Sequence, residues 1–196
     1  QSAIDDSYGK ILAFVNGDGI EYRITSELVI TEQIQIWGNG ATINGADLPV
    51  GTGLGLIRAF HIYGTADTAT PTPVTASLVA GQTAVSVTDS SQLAKGDIVL
   101  VSNTEPMLAG YANATSVKGY LSYVYQVDSP ILVTLATGAQ SAMSHTATLT
   151  LTKINPLRGI RISDLKIQMG GAFTVHGGFR MEYLADFVFR NVEVYG

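Results

Sequence analysis

The sequence of 196 residues contains no cysteine. A disulfide framework, a cysteine-ligated zinc site and catalysis by a thiolate are therefore excluded. The three histidines, His61, His145 and His176, lack the spacing of metal ligands. The sequence predicts neither a metal site nor a cofactor.

Charged residues are scarce as well. Asp, Glu, Lys and Arg make up 14% of the chain, whereas about a quarter is usual in soluble proteins. The net charge is −5 and the few Lys and Arg residues are scattered, so a nucleic-acid partner is not expected. No apolar run approaches the ~18 residues of a membrane span, and we expect no membrane insertion.

Strand-forming residues, in contrast, are abundant. Val, Ile and Thr supply 53 of the 196 residues. Residues 22–24, 28–30, 34–36 and 41–43 are short segments with alternating apolar positions, joined by a few polar or Gly residues. No stretch shows convincing helical periodicity. The sequence therefore predicts an all-β fold.

Two repeats indicate how the strands are arranged. Residues 34–38, 60–64 and 192–196 share the order apolar, any residue, apolar, aromatic, Gly, and the first two lie 26 residues apart. Residues 160–167 match residues 187–194 at a spacing of 27. Short strands recurring at such a period predict a parallel β-helix, a solenoid with three strands in each coil.

The second repeat also assigns individual positions. Asp164 and Asn191 correspond to each other, and short polar side chains of this kind accept a left-handed backbone. We interpret both as structural residues of one bend. Alternation within the same repeat directs Ile162 and Phe189 into the core.

Residues 65–156 interrupt the period. This segment opens with a linker of Thr, Ala and Pro, contains several alternating strand-like runs and closes at Asn155 and Pro156. We predict a small antiparallel β insertion, so that residues 1–64 form the first coils and residues 157–196 continue the β-helix. The missing initial Met and the strand-like last residues lead us to expect a chain that continues beyond residue 196.

Three parts of the sequence resemble one protein family. Residues 24–43 look like the opening coils, residues 77–102 like the small β insertion and residues 153–167 like the return into the helix of certain bacteriophage proteins. These are the tailspikes and tail fibres with a right-handed parallel β-helix of the pectin-lyase-like type. The resemblance implies a homotrimer that is attached to other phage tail proteins at the virion tail. It also implies binding of bacterial surface polysaccharide, commonly with its cleavage.

The sequence leaves three functions open. The first is a tailspike or tail fibre component that binds capsule or O-antigen and, in the complete protein, depolymerises it. The second is a structural tail fibre or adhesin stalk without enzymatic activity. The third is a secreted bacterial polysaccharide lyase or hydrolase of the same fold. Fold analogy does not separate them, because function depends on the residues of the site.

Candidate catalytic residues follow from the chemistry of glycan cleavage. Hydrolysis needs two carboxyl groups roughly 5–10 Å apart, and Glu182 and Asp186 lie four residues apart near the return coils. An eliminating lyase needs a base and a cation instead, for which His176, Arg180 and Lys166 are candidates. Each of these residues is equally explained as a polar group on the outer face of a solenoid.

Aromatic residues supply candidates for sugar binding. Tyr111 and Tyr120 belong to a group of tyrosines whose ring faces would suit sugar rings, and Arg180 is a further substrate-binding candidate. Tyr123 and Tyr125 alternate with an apolar residue in a strand, which is more typical of a core or an interface.

Overall fold

A computed structural model describes residues 1–14, 19–49, 57–106, 117–170 and 176–196. These residues form two compact units. The first unit combines Gln1–Thr65 with Pro156–Gly196, and the second is Ala66–Asn155. None of the helices in the described ranges is long and apolar enough to cross a membrane.

Nearly all of the regular secondary structure in the described residues is β-strand. The chain begins with a short helix, α1 (Ser2–Asp5), and a single 3-10 turn lies at His145–Ala147. The strands in chain order are β1 (Ile11–Ala13), β2 (Glu21–Arg23), β3 (Leu28–Ile30), β4 (Gln35–Trp37), β5 (Thr42–Asn44), β6 (Ile57–Tyr63), β7 (Thr65–Ala66), β8 (Thr72–Pro73), β9 (Ala84–Ser86), β10 (Ile98–Pro106), β11 (Val117–Ser129), β12 (Leu132–Leu135), β13 (Thr150–Asn155), β14 (Leu157–Arg158), β15 (Arg161–Gln168), β16 (His176–Glu182), β17 (Leu184–Ala185) and β18 (Val188–Tyr195).

The first unit is a parallel β-helix. Its strands stack in three sheets, which we call sheet A (β1, β2, β4, β5, β15 and β18), sheet B (β3, β6 and β16) and sheet C (β14 and β17). All of these pairings are parallel. From β14 onward the chain visits sheets C, A and B in turn, which confirms the predicted solenoid with three strands in a coil. The described residues before the insertion contribute strands to sheets A and B.

The 27-residue repeat is confirmed as one coil. Ile162 pairs with Phe189 and Leu165 pairs with Val192, so the two segments stack residue for residue. Ile162 is buried and Phe189 packs against the same apolar core, as the alternation predicted.

The interpretation of the 26-residue repeat as one coil, in contrast, was wrong. Ile36 lies in sheet A and pairs with Ile162, whereas Ile62 lies in sheet B and pairs with Ile30 and Met181. The shared pattern arises because both segments alternate between core and surface before the chain bends. It reflects burial and not stacking.

A column of left-handed residues forms the bend within sheet A. Asn39, Asp164 and Asn191 have φ values of 49°, 54° and 51°. The structural interpretation of Asp164 and Asn191 is thereby confirmed. Gly38, which precedes this column, is tightly enclosed: a Cβ atom there would lie 2.4 Å from the Asp164 carbonyl oxygen. Only glycine allows the two coils to approach this closely.

Helix α1 was not predicted. It has four residues, too few to produce a periodic pattern, and its Ile4 is buried at one end of the β-helix core. The Gln1 side-chain amide donates to the Val29 carbonyl and accepts from the Val29 N–H, both over 2.8 Å. Gln1 therefore satisfies the backbone of the edge strand β3, as a neighbouring strand would.

The second unit is an antiparallel sheet in the order β7, β13, β10, β11, β12, β9, with β8 also paired to β13. Its strands β10 and β11 pair in antiparallel register, and so do β10 and β13. The small antiparallel β insertion is therefore confirmed. A separate apolar core includes Val85, Val99, Val101, Val133 and Leu151.

Candidate functional site

Alternation along sheet B directs a group of polar side chains outward. Phe60 and Ile62 are buried, and consequently His61 between them faces away from the core. In the neighbouring strand, Arg180 pairs with His61 and Glu182 pairs with Tyr63. The outer face of sheet B thus carries two charged groups, an imidazole and a phenol side by side.

Hydrogen bonds connect these side chains. His61 Nε2 lies 3.0 Å from Glu182 Oε2, and Arg180 Nη2 donates to Glu182 Oε1 over 2.9 Å. On the other side of the imidazole, Nδ1 lies 4.0 Å from Oε2 of Glu27. We call Glu27, His61, Tyr63, Arg180 and Glu182 the His61 cluster.

Neighbouring groups hold the cluster in place. The backbone N–H of Arg58 donates to Glu27 Oε1 over 3.0 Å, which fixes this carboxylate beside β6. The rings of His61 and Tyr63 lie 4.5 Å apart between their centres. The cluster is partly exposed, with 18% of the His61 side chain and 40% of the Glu182 side chain accessible.

The electrostatics of the cluster favour an ionised Glu182. The hydrogen bond with His61 lowers the pKa of the Glu182 carboxyl, partial burial opposes this shift, and Arg180 adds to the lowering. Glu182 is therefore an acceptor of hydrogen bonds at neutral pH and not a proton donor. Arg180 and the Tyr63 hydroxyl supply donors on the same face.

Asp186, the predicted partner of Glu182, contacts a different cation. Its carboxylate binds Arg158 over 2.6 Å, and no hydrogen bond or ion pair in the described ranges connects it with Glu182. Asp186 itself has a φ of 55°. It stands at the bend between sheets C and A, where its carbonyl oxygen accepts from the Gly159 N–H. The left-handed backbone gives a structural reason for an Asp at this position. The pairing of Asp186 with Glu182 in catalysis stays a prediction.

Two of the predicted lyase residues lie in different sheets. Lys166 lies in β15 of sheet A, whereas Arg180 lies in β16 of sheet B. His176 begins β16, but its side chain lies outside the described part of the structure. Across the described residues, no three His, Asp or Glu side chains are arranged to hold a metal ion.

The described tyrosines lie in different surroundings. Tyr120 is 5% exposed in the core of the second unit, and burial raises the pKa of its hydroxyl, so its ring offers no face to a sugar. Tyr111 lies outside the described residues. Tyr123 and Tyr125, for which a core or interface position was favoured, are half exposed on β11, and the Lys95 ammonium lies 5.5 Å from the Tyr125 ring centre.

Sequence reasoning missed Glu27 and Tyr63 and assigned no role to His61. The outward direction of His61 was readable from its apolar neighbours. Its partner was not, because His61 and Glu182 are 121 residues apart and the insertion between them hides the stacking distance.

The similarity of this chain to known proteins is evident in its structure and not in its sequence. No protein-family model matches this sequence, and a search of curated proteins finds no match. The tailspike of the Pseudomonas phage phi297 is similar in structure, with a TM-score of 0.73 and 15% identity over 99% of this chain and 30% of that chain. The fold is that of a tailspike β-helix.

Two further tailspike structures agree with this result. The tailspike of Acinetobacter baumannii bacteriophage AP22, solved in complex with A. baumannii capsular saccharide, has a TM-score of 0.68 and 18% identity over 93% of this chain and 28% of that chain. The tailspike of Pseudomonas phage LKA1 has a TM-score of 0.61 and 17% identity over 92% of this chain and 32% of that chain. The chain thus spans less than a third of each tailspike, and the fold predicted from the resemblance is confirmed.

Proposed function

We propose that this chain is part of a tailspike-like protein that binds bacterial surface polysaccharide. The observation that carries the proposal is the tailspike fold, shared along nearly the whole chain with three phage tailspikes, one of them solved with a capsular saccharide. The His61 cluster gives this fold a polar outer face on which a glycan can be bound.

The chemistry of the cluster suits a polyhydroxylated ligand. Sugar hydroxyls both donate and accept hydrogen bonds, and the cluster offers Arg180 as a donor and Glu182 as an acceptor. The ring of Tyr63 adds an apolar face beside them. We propose that these residues contact the glycan directly.

The wider assembly belongs to the same proposal. We propose a homotrimer attached to other tail proteins at the virion tail, which is an extracellular location. Cleavage by hydrolysis would require an ionised carboxylate together with a second carboxyl group that donates a proton. Glu182 is ionised and is not that proton donor, so we assign binding to the His61 cluster and look for the proton donor at other residues.

A glycan array of bacterial capsular polysaccharides and O-antigens tests the proposal. We expect this chain to bind at least one glycan, and Glu182→Gln and Arg180→Ala each to weaken binding roughly tenfold. Glu193→Gln, which removes an exposed carboxylate from sheet A, is the matched control and should bind normally.

The other outcomes separate the remaining functions. A complete protein that binds no glycan would contradict the proposal and favour a structural stalk. Release of reducing ends by the complete protein would identify a hydrolase, and an unsaturated product that absorbs ultraviolet light would identify a lyase. A stable monomer with cleavage activity would favour a secreted bacterial enzyme over a tailspike.

A further inference from the structure

A second polar and aromatic surface lies on sheet A, away from the His61 cluster. Leu12, Ile36 and Ile162 face the core, so the residues on either side of each face outward. These outward residues line a groove of about 370 Å³, a size within the usual range for ligand pockets. We call it the Trp37 groove; it includes Ile11, Gln35, Trp37, Arg161, Val188 and Arg190.

The two arginines of the groove are neighbours. Arg161 pairs in register with Val188, which stands two residues before Arg190, so the two guanidinium groups project from adjacent strands on one face. Like charges in such positions repel each other. Both arginines are exposed, and neither forms an ion pair with any described carboxylate.

This arrangement is unlike that of three other arginines in the chain. Arg23, Arg158 and Arg180 each bind a carboxylate within 3 Å. On a chain with a net charge of −5, the Trp37 groove is therefore a local cationic surface without an internal counter-charge. Its chemistry is complementary to an anion supplied from outside.

The apolar part of the groove indicates that the ligand has an apolar face in addition to its negative charge. Trp37 is 51% exposed, and Ile11 and Val188 are exposed beside it. An exposed indole ring offers a flat apolar face, on which the C–H face of a sugar ring packs. A small inorganic anion would use the arginines and leave the indole ring uncovered.

We infer that the Trp37 groove binds an acidic sugar residue of the glycan, with the sugar ring on Trp37 and its carboxylate between Arg161 and Arg190. Arginine is well suited to this task because its planar guanidinium group donates two parallel hydrogen bonds to a carboxylate. This inference deepens the proposed function and depends on it. It specifies that the polysaccharide contains a uronic acid or a similar carboxylated sugar.

The experiment uses one glycan in two chemical forms. The capsular polysaccharide that binds most tightly on the array is compared with its carboxyl-reduced derivative, in which each carboxylate becomes a hydroxymethyl group. We expect carboxyl reduction to weaken binding at least tenfold. Arg161→Gln and Arg190→Gln should each weaken binding of the native glycan roughly tenfold and leave binding of the reduced glycan unchanged.

Matched variants separate the contributions of charge and ring. Arg23→Gln makes the same change of charge on sheet A outside the groove and should bind both glycans as the unchanged chain does. Trp37→Ala should weaken binding of both forms, and Trp37→Phe should restore most of it. Thermal unfolding of every variant establishes that the fold is retained.

Three results would overturn the inference. The first is a preferred glycan without carboxylates, and the second is equal binding of the native and reduced forms. In both cases the proposed function stands while the acidic-sugar site fails. The third is a change of native mass in the arginine variants with unchanged glycan binding, which would identify the groove as a contact between copies of this chain. Absence of binding to any glycan would overturn the proposed function together with the inference.

Discussion

Asn191 donates a hydrogen bond from its side-chain amide to Asp164 Oδ1 over 2.9 Å, and both residues have a left-handed backbone. They occupy the same bend in successive coils, 27 residues apart. The stacked side chains therefore connect two coils at a place where the backbone of most residues would be strained.

The first prediction concerns this bend. Asn191→Ala should lower the free energy of unfolding by about 1–2 kcal/mol, because it removes the hydrogen bond and places a less tolerant residue in a left-handed conformation. Asn191→Gly should cost less than half as much, since glycine accepts this conformation freely. Chemical denaturation measures both. Equal losses for the two variants would show that the backbone conformation contributes nothing.

The second prediction concerns the stacked core. Ile162 is 1% exposed between Ile36 and Phe189. Ile162→Ala should lower the free energy of unfolding by about 2–5 kcal/mol, and Phe189→Ala by less because its ring is half-buried. Ser163→Ala is the control on the outer face and should change the value by no more than about 0.5 kcal/mol. A reversed order of the two core variants would contradict the register.

The third prediction concerns the acid stability of the His61 cluster. The folded state lowers the pKa of Glu182 below its ordinary value of 4.5, mainly through the hydrogen bond with His61 and also through Arg180. A carboxyl with a lowered pKa stabilises the fold above its unfolded pKa, and this contribution is lost as the pH falls through the folded pKa. Glu27, the other carboxylate beside His61, is unchanged in the experiment.

Glu182→Gln removes this titration. The variant should therefore be less stable than the unchanged chain at pH 7. The melting temperatures of the two proteins should converge as the pH decreases below about 4.5. The difference is expected to be small because the pair is partly exposed and screened by solvent. Melting temperatures between pH 3 and 7 provide the measurement. Curves that stay parallel over this range would count against the His61–Glu182 contact.

The fourth prediction concerns the edge of sheet B. Gln1→Glu keeps the shape of the side chain but replaces the amide donor that binds the Val29 carbonyl and Asp5. The free energy of unfolding should decrease by about 1 kcal/mol. Gln92→Glu, at an exposed position of the second unit, makes the same chemical change and should have little effect. Equal stability of the two variants would mean that Gln1 does not pair with β3 in solution.

The parts of the fold that were predictable depend on local signals. The 27-residue coil, the inward position of Ile162 and the bend at Asp164 follow from alternation and from the tolerance of Asp and Asn for a left-handed backbone. The 26-residue repeat used the same alternation but joined two different sheets. The local sequence pattern shows which side chains are buried, but it does not show which strand of the neighbouring coil each segment stacks on.

The candidate site was less predictable for the same reason. Glu182 and Arg180 were candidates, but Glu182 was paired with Asp186, its neighbour in sequence. In the structure the contacts of Glu182 include His61, which lies in the coil before the insertion. Asp186 has a left-handed backbone, which Asp tolerates better than most residues, at a bend that the sequence analysis did not detect. Contacts across coils depend on loop lengths, and a single sequence gives no measure of them.

The inserted unit has a consequence for the order of folding. Strands β6 and β16 are adjacent in sheet B, yet the chain leaves one and reaches the other only after the whole insertion. Both ends of the insertion lie in one sheet, where β7 pairs with β13 and the Asp67 N–H donates to the Lys153 carbonyl over 2.8 Å. Once this sheet has formed, only the part of one coil that contains β14 and β15 separates the insertion from β16, and most of the entropy lost on closing the longer loop has already been compensated within the insertion. The coils on either side are then expected to join late in refolding, at a rate set by the insertion and not by the β-helix itself.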